Sequence, residues 1–421
     1  MKHRLIKSEF GRNITTLVSA TAIAQVIPVL LQLYLRRVIP EEIYGVFAVY
    51  LVLTSILVVV STLRYEMAIV LPLRDKDAVN VAALSLLITI LFNVLIFFTI
   101  VFFRKGLTAL IGWDERYANW LIAVPIGALV YSSYQVINYW LIRKKAFRAS
   151  ASNKISRRVS EGILQGASGL AAWPTGLLVG ELFGRIVMLL SGIRQSVRKG
   201  FTLKHVRTSR IQDVAKRYRE FPGYQALPAL LNTASLMIPV LIVNSFYGER
   251  ITAQFDLSRQ VLVLPLALIS TAMSQVLFQK FSEKKNRKLP VISNLTKTTG
   301  FLLLLSLPVI VLLFFFGEPL FGFVFGKTYT TAGLYASTLV FAYMMQFVVS
   351  PVSVLMIALE KIKIAAFWQV CYFCAIVSLF FFKTMPVEQF IIYFTGVNML
   401  AYTIYWFLIF FVAKNYEKSI A

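Results

Sequence analysis

RQSVRKGFTLKHVRTSRIQDVAKRYREFP, residues 194–222, decides how the rest of this chain is partitioned. It carries nine basic residues (Arg194, Arg198, Lys199, Lys204, Arg207, Arg210, Lys216, Arg217 and Arg219) and falls near the middle of 421 residues. Working outward, six apolar stretches lie on each side of it, beginning near residues 14, 45, 79, 119, 155 and 176, then 224, 253, 297, 334, 364 and 391. Most are about 20 residues long, the length that crosses roughly 30 Å of hydrocarbon. With the N-terminus inside, the inner connections hold 32 of the 43 Lys and Arg and the outer ones 8. Cytoplasmic loops retain positive charge, so the asymmetry sets both the number of spans and their orientation. An all-α polytopic membrane protein is expected, with twelve transmembrane helices in two six-helix lobes and both termini cytoplasmic. The lobes are residues 1–193 and 223–421, joined by a basic cytoplasmic linker, 194–222.

Composition agrees. Hydrophobic residues make up 58% of the chain, far above an ordinary soluble domain. A net charge of +24 would suggest nucleic acid in a soluble protein. Here the charge sits on juxtamembrane loops without a basic stripe interleaved with aromatics, which points to anionic lipid headgroups and away from nucleic acid. The first apolar stretch is too long for a signal peptide and follows a basic, polar start, so it reads as a retained helix. Cys371 and Cys374 share one span, while the only histidines, His3 and His205, lie in cytoplasmic segments. No four-ligand metal site can be assembled from them, and no metal or cofactor is expected.

The halves carry a trace of internal repetition. Ile27-Pro28-Val29-Leu30 recurs as Ile238-Pro239-Val240-Leu241, 211 positions later, and each is followed by a span opening near a phenylalanine, Phe47 and Phe255. Six spans per half put the repeat axis along the membrane normal. Pro28 and Pro239 each interrupt a helix near mid-membrane, where a proline frees a carbonyl and permits a bend. A static kink is the plain alternative; the matching positions favour hinges.

Enzyme chemistry finds no support. Gly322–Thr328 has three residues between its glycines, where a phosphate loop needs four, and neither G-x-S-x-G nor H-E-x-x-H is present. What remains are ionisable residues in or at the rims of spans, which are costly there and point to function. Glu181 and Arg185 stand at i, i+4 on a helix that also carries Gly176, Gly180 and Gly184, and Gly162 and Gly166 repeat that spacing one helix earlier. A structural ion pair and a transport role are equally open for them. Asp256 and Arg259 are spaced to pair near an outer end, and Arg64 and Glu66 sit at an inner end. Arg36 and Arg37 defy the positive-inside trend. Thr21, Gln25, Pro28 and Gln32 form one stripe, and Asn232, Ser235 and Asn244 another. Such amides suit sugar hydroxyls or helix-to-helix hydrogen bonds.

These residues resemble a family. Arg219-Glu-Phe-Pro-Gly-Tyr-Gln-Ala-Leu-Pro-Ala-Leu-Leu-Asn232-Thr-Ala-Ser235 is similar to the seventh helix of the polysaccharide-biosynthesis branch of the multidrug/oligosaccharidyl-lipid/polysaccharide (MOP) exporters, which includes the Wzx-type O-antigen flippases. Tyr44-Gly45-Val46-Phe47, the run Gln135 to Arg143, Leu264-Pro265-Leu266, Gln279 to Glu283, and Phe325-Gly326 to Ala332-Gly333 extend the match in order along nearly the whole chain. The resemblance implies a MATE-like pair of lobes around a cavity lined by helices 1, 2, 7 and 8. It implies a multi-pass protein of the bacterial inner membrane and an undecaprenyl-pyrophosphate-linked oligosaccharide as substrate, with polysaccharide polymerase machinery as a candidate partner. Arg64, Arg259 and Arg36 or Arg37 would then hold the diphosphate, whose oxygens suit a planar guanidinium. Gln25, Gln32 and Asn232 would meet the sugars. Asp256, Glu181 and Glu66 are the candidates for coupling to H+ or Na+, with Arg185 as the ion-pair partner of Glu181. An ion-coupled multidrug or organic-cation antiporter of the same superfamily is the alternative.

Overall fold

The computed structural model describes residues 31–171 and 173–420, and among them there is no strand. Gln25 and Pro28 lie outside the described residues. Residues 31–38 are helical, and ten long helices follow: α1 Glu41–Ser61, α2 Asp75–Ile111, α3 Trp120–Arg143, α4 Phe147–Leu170, α5 Gly176–Arg198, α6 Leu227–Asn286, α7 Ile292–Phe325, α8 Thr330–Val352, α9 Ile362–Val377 and α10 Val387–Ile420. Their starts follow local chemistry. Glu41 and Glu42 open α1 and Asp75 and Asp77 open α2, acids where the helix dipole is positive. Gly112 ends α2 in the left-handed conformation, φ 80°, that a C-terminal cap needs.

Among the described residues, nine helical stretches are long and apolar enough to cross a membrane. One of them, Pro222–Asn286, contains two of the expected spans, separated by a break at Gly248, where φ is 79°. The α4 helix has the length of a span, but its opening FRASASNKISRR is too polar to count as one by hydropathy. Pro239 sits inside α6 with helical backbone on both sides; the break is at Gly248 instead.

By packing, the chain divides within α6 into two units, Met1–Met237 and Ile238–Ala421. In the first, α4 and α5 meet along a glycine seam. A Cβ on Gly176 would lie 2.0 Å from Cβ of Ser168, one on Gly180 2.6 Å from Cγ of Gln165, and one on Gly184 2.9 Å from the carbonyl oxygen of Arg157. The four-residue glycine spacing is therefore what lets these backbones approach.

The basic end of this unit has a small core of its own. Residues 199–218 pack there against the start of α2, the end of α3 and the turn after α1. Within that segment Thr208–Arg217 is an amphipathic helix whose apolar face (Ile211, Val214 and Ala215, continued by Tyr218) joins one cluster with Tyr65, Ile69, Ala78 and Trp140. Polar bonds fix the register. Asn80 donates to the carbonyl of His205 at 3.1 Å and accepts from the backbone N–H of Arg207 at 3.0 Å, and the Tyr65 hydroxyl donates to the carbonyl of Ala215 at 3.1 Å. Burial pushes the Tyr65 phenol above its ordinary value. The basic stretch expected to join two lobes is thus folded onto the first unit.

In the second unit α7 crosses α8 with backbone against backbone: a Cβ on Gly333 would stand 2.2 Å from the carbonyl oxygen of Gly317. Gln254 bonds the Thr328 carbonyl at 2.9 Å and the Ala332 amide at 3.0 Å, which holds α6 to the turn between these helices. Glu417 near the chain's end accepts from the amides of Val291 and Ile292 at 2.6 and 2.7 Å and so caps α7.

Candidate functional site

Three charged constellations stand out, two in the first unit and one in the second. The largest surrounds Glu181. One carboxylate oxygen accepts from Arg157 on α4 at 3.0 Å and from Arg185 one turn along α5; the other accepts from the Tyr50 hydroxyl on α1 at 2.9 Å. Arg185 also donates to the carbonyl of Gly127 on α3 at 2.9 Å, and both arginines lie over the Tyr131 ring, 5.4 and 5.2 Å from its centre. Arg158 continues the network to Glu161 at 3.0 Å. Four helices are therefore tied through one carboxylate. The expected Glu181–Arg185 pair is present; its ties to Arg157 and Tyr50 carry no sequence signal, because those partners are 24 and 131 positions away.

The second constellation is sparser. Leu63 and Arg64 follow α1 with φ of 48° and 64°, a left-handed conformation that strains any residue with a Cβ. This turn feeds the short 3-10 helix Tyr65–Val70. It places Arg64, 27% exposed, 3.6 Å from the buried carboxylate of Glu66. One oxygen of that carboxylate and Nε of Arg64 have no hydrogen-bond partner. A buried carboxylate oxygen left this way is costly. The pair is loose where the Glu181 network is saturated.

In the second unit Asp256 accepts from Arg259 at 2.9 Å and, through its other oxygen, from Gln260. The i, i+3 pairing expected from sequence is present. Arg259 is largely buried and electrostatically coupled to Tyr343 on α8.

The remaining expected residues separate. Arg36 is buried; its Nε donates to Gln32 at 2.9 Å and its guanidinium lies 4.2 Å from the centre of the Tyr44 ring, an arrangement that compensates a cation without a carboxylate. Arg37 is exposed, as is Asn232 on α6. Arg143 had been noticed only as the end of a motif. It reaches the carbonyls of Ile69, Val70, Pro72 and Leu73 and pairs with Asp75 at 3.1 Å, so a single guanidinium shapes the whole turn before α2. Among the described residues no cluster of His, Cys, Asp and Glu could hold a metal ion.

With this geometry in place, known proteins can be compared. Residues 34–334 match the family described as polysaccharide biosynthesis protein. A curated relative, the teichuronic acid biosynthesis protein TuaB of Bacillus subtilis (strain 168), is 20% identical over 153 residues, 36% of this chain; the match spans only 32% of that protein's length. Among solved structures, the lipid II flippase MurJ in an inward closed conformation superposes with a TM-score of 0.74 at 14% identity, covering 94% of this chain and 87% of its own. A multidrug resistance MATE family transporter of the MOP superfamily, inward-facing, gives 0.70 at 16%, covering 94% and 96%. A MOP superfamily transporter from Pyrococcus furiosus gives 0.65 at 16%, covering 99% and 98%. At these identities the structures establish the fold, a multi-pass MOP-type helical membrane protein.

Proposed function

We propose that this chain, which belongs to the polysaccharide biosynthesis protein family, is a flippase for a polyprenyl-pyrophosphate-linked oligosaccharide, an O-antigen or exopolysaccharide unit. It carries the unit from the cytoplasmic to the periplasmic leaflet of the bacterial inner membrane by alternating access. The observation that carries this reading is the family match over residues 34–334 on a MOP-type membrane fold. Its chemistry supports it. A diphosphate crossing a low-dielectric region needs cations that are not already neutralised. Arg64 fits that need best, because its partner is 3.6 Å away and its Nε is unbonded. Arg259 and Arg36 are further candidates, and Gln32 and Asn232 offer amides to sugar hydroxyls. Pro239, one position past the boundary between the units, is the candidate hinge.

Coupling to H+ or Na+ would fall on Glu66 before Glu181 or Asp256. Both oxygens of the latter two are bonded, whereas one oxygen of Glu66 is not. These buried carboxylates and the MATE-like fold favour ion-driven efflux of organic cations as a second reading.

Deletion of the protein from its host tests the first. Surface polysaccharide should disappear while lipid-linked units accumulate on the inner leaflet. Continued export in a strain without a redundant flippase would refute the flippase assignment. Ion-driven cation efflux that survives loss of the polysaccharide genes would favour the second reading.

A further inference from the structure

The turn between the 3-10 helix and α2 presents large apolar side chains to solvent: Val70 is 38% exposed, Leu71 53% and Leu73 100%. A flexible loop would fold such side chains inward. This one is held open, because Arg143 binds four of its carbonyls and, with Lys144, clamps Asp75 at its end. An apolar tip fixed in place by polar bonds to its own backbone is preorganised for contact, since little conformational freedom is lost on binding.

Lipid is not what it touches. The first large apolar side chain that α2 exposes is Leu87, and residues 78–82 are buried in the core at the basic end. At 1.5 Å per residue, Asp75 lies about 18 Å along the helix from that lipid-facing belt, and about 14 Å in depth for a helix tilted by 40°. The polar headgroup layer is only about 5–8 Å thick. The tip therefore stands in water beyond the headgroups. Its surroundings are basic: Arg74 and Lys76 are exposed beside it, and Asn80 bonds the carbonyl of Lys76 at 2.7 Å and holds the segment carrying exposed Lys204 and Arg207 against the same end. Asp75, the acid within the turn, is already engaged by Arg143 and Lys144.

We infer that the Val70–Arg74 tip docks into an acidic-rimmed apolar pocket on the cytoplasmic glycosyltransferase that completes the lipid-linked oligosaccharide. The inference rests on the flippase reading. The chemistry identifies the partner. A glycosyl group passes from a nucleoside-diphosphate sugar to a hydroxyl of the lipid-linked acceptor, and the nucleoside diphosphate leaves. That exchange needs a water-soluble donor and a membrane-held acceptor, so it takes place in the aqueous layer where the tip stands. Charge complementarity selects an acidic rim. The short helix Tyr65–Val70 joins the tip directly to Arg64, so a partner seated here releases the finished headgroup beside that guanidinium.

A photoreactive benzoylphenylalanine replacing Leu73 in the full-length chain, irradiated in native membranes, tests this. The expected product is an adduct with a glycosyltransferase, crosslinked through an acidic region and lost on Arg74→Glu with Lys76→Glu. Adducts only with lipid, only with a second copy of the chain, or with nothing overturn the inference. Leu71→Ser with Leu73→Ser should leave protein levels unchanged, because both side chains are exposed, and lower export in cells several-fold. The same variant, purified into vesicles with preassembled lipid-linked oligosaccharide, should translocate at the wild-type rate. If wild-type protein translocates and the variant exports normally in cells, the docking site is wrong and the flippase stands. If wild-type protein in vesicles fails to translocate, it is the flippase reading that fails.

Discussion

Two arginine–carboxylate sites in the first unit differ in how completely they are satisfied. Around Glu181, two arginines, a tyrosine and a glycine carbonyl use up the available bonds, and every partner is on a different helix or a different turn. Around Glu66, a single arginine at 3.6 Å leaves a buried oxygen and a guanidinium nitrogen unbonded, on a backbone held in a strained turn. A charge that is fully paired stabilises the bundle but has nothing left to offer a ligand. A charge that is partly paired costs stability and stays available. Strain and unsatisfied groups of this kind collect where proteins bind and switch.

Glu181→Ala should break this contrast most severely. It strands Arg157 and Arg185 inside the bundle and should cost about 3–5 kcal/mol, the usual penalty for removing one partner of a buried pair. Thermal unfolding of the detergent-purified protein would read it, and a loss under about 1 kcal/mol would mean that water reaches the network. Gly127→Ala should be milder. Its new methyl would lie 2.4 Å from the Tyr50 hydroxyl and push that ring off Glu181, costing about 1–3 kcal/mol as overpacking does.

Arg64→Ala should change the unfolding midpoint little, since the contact it loses is loose and partly exposed, yet abolish export at normal protein levels. Restoration by Arg64→Lys would point to a point charge, and its failure to a bidentate guanidinium contact. Normal export by Arg64→Ala would remove this arginine from the substrate path.

The exposed pair Lys285–Glu360, at 2.8 Å, marks the lower end of the scale. The Lys285 ammonium holds the Glu360 carboxyl below its ordinary value of 4.5. Its small stabilisation is present above that value and fades as pH falls through the lowered one. Glu360→Gln should leave the unfolding midpoint unmoved at neutral pH, and a measurable drop would show that the 286–292 turn depends on this contact.

Much of the frame was legible in the chain. Helix starts fall close to the expected span starts because hydropathy and acid-led first turns are local signals, and the Glu181–Arg185 spacing and glycine seam are helix periodicities. Long-range partners were not legible: nothing near Glu181 announces Tyr50, and nothing near Arg143 announces the four carbonyls it binds. The amphipathic helix Thr208–Arg217 was readable in principle. Ile211, Val214, Ala215 and Tyr218 recur at three, one and three positions, a buried face hidden among the charges of residues 194–222. Counting that stretch only as positive charge concealed its fold. Pro239 drew attention as a helix breaker, but a membrane helix tolerates proline, and the break came where glycine permits a positive φ.

The contact between Gly317 and Gly333 has a mechanical meaning. With main chain against main chain and no side chain between, α7 and α8 have no lubricating layer of rotamers to shear along. They can pivot about that point but cannot slide past it. Whatever motion the second unit makes, these two helices travel as one rigid plate with its rivet at a pair of hydrogen atoms.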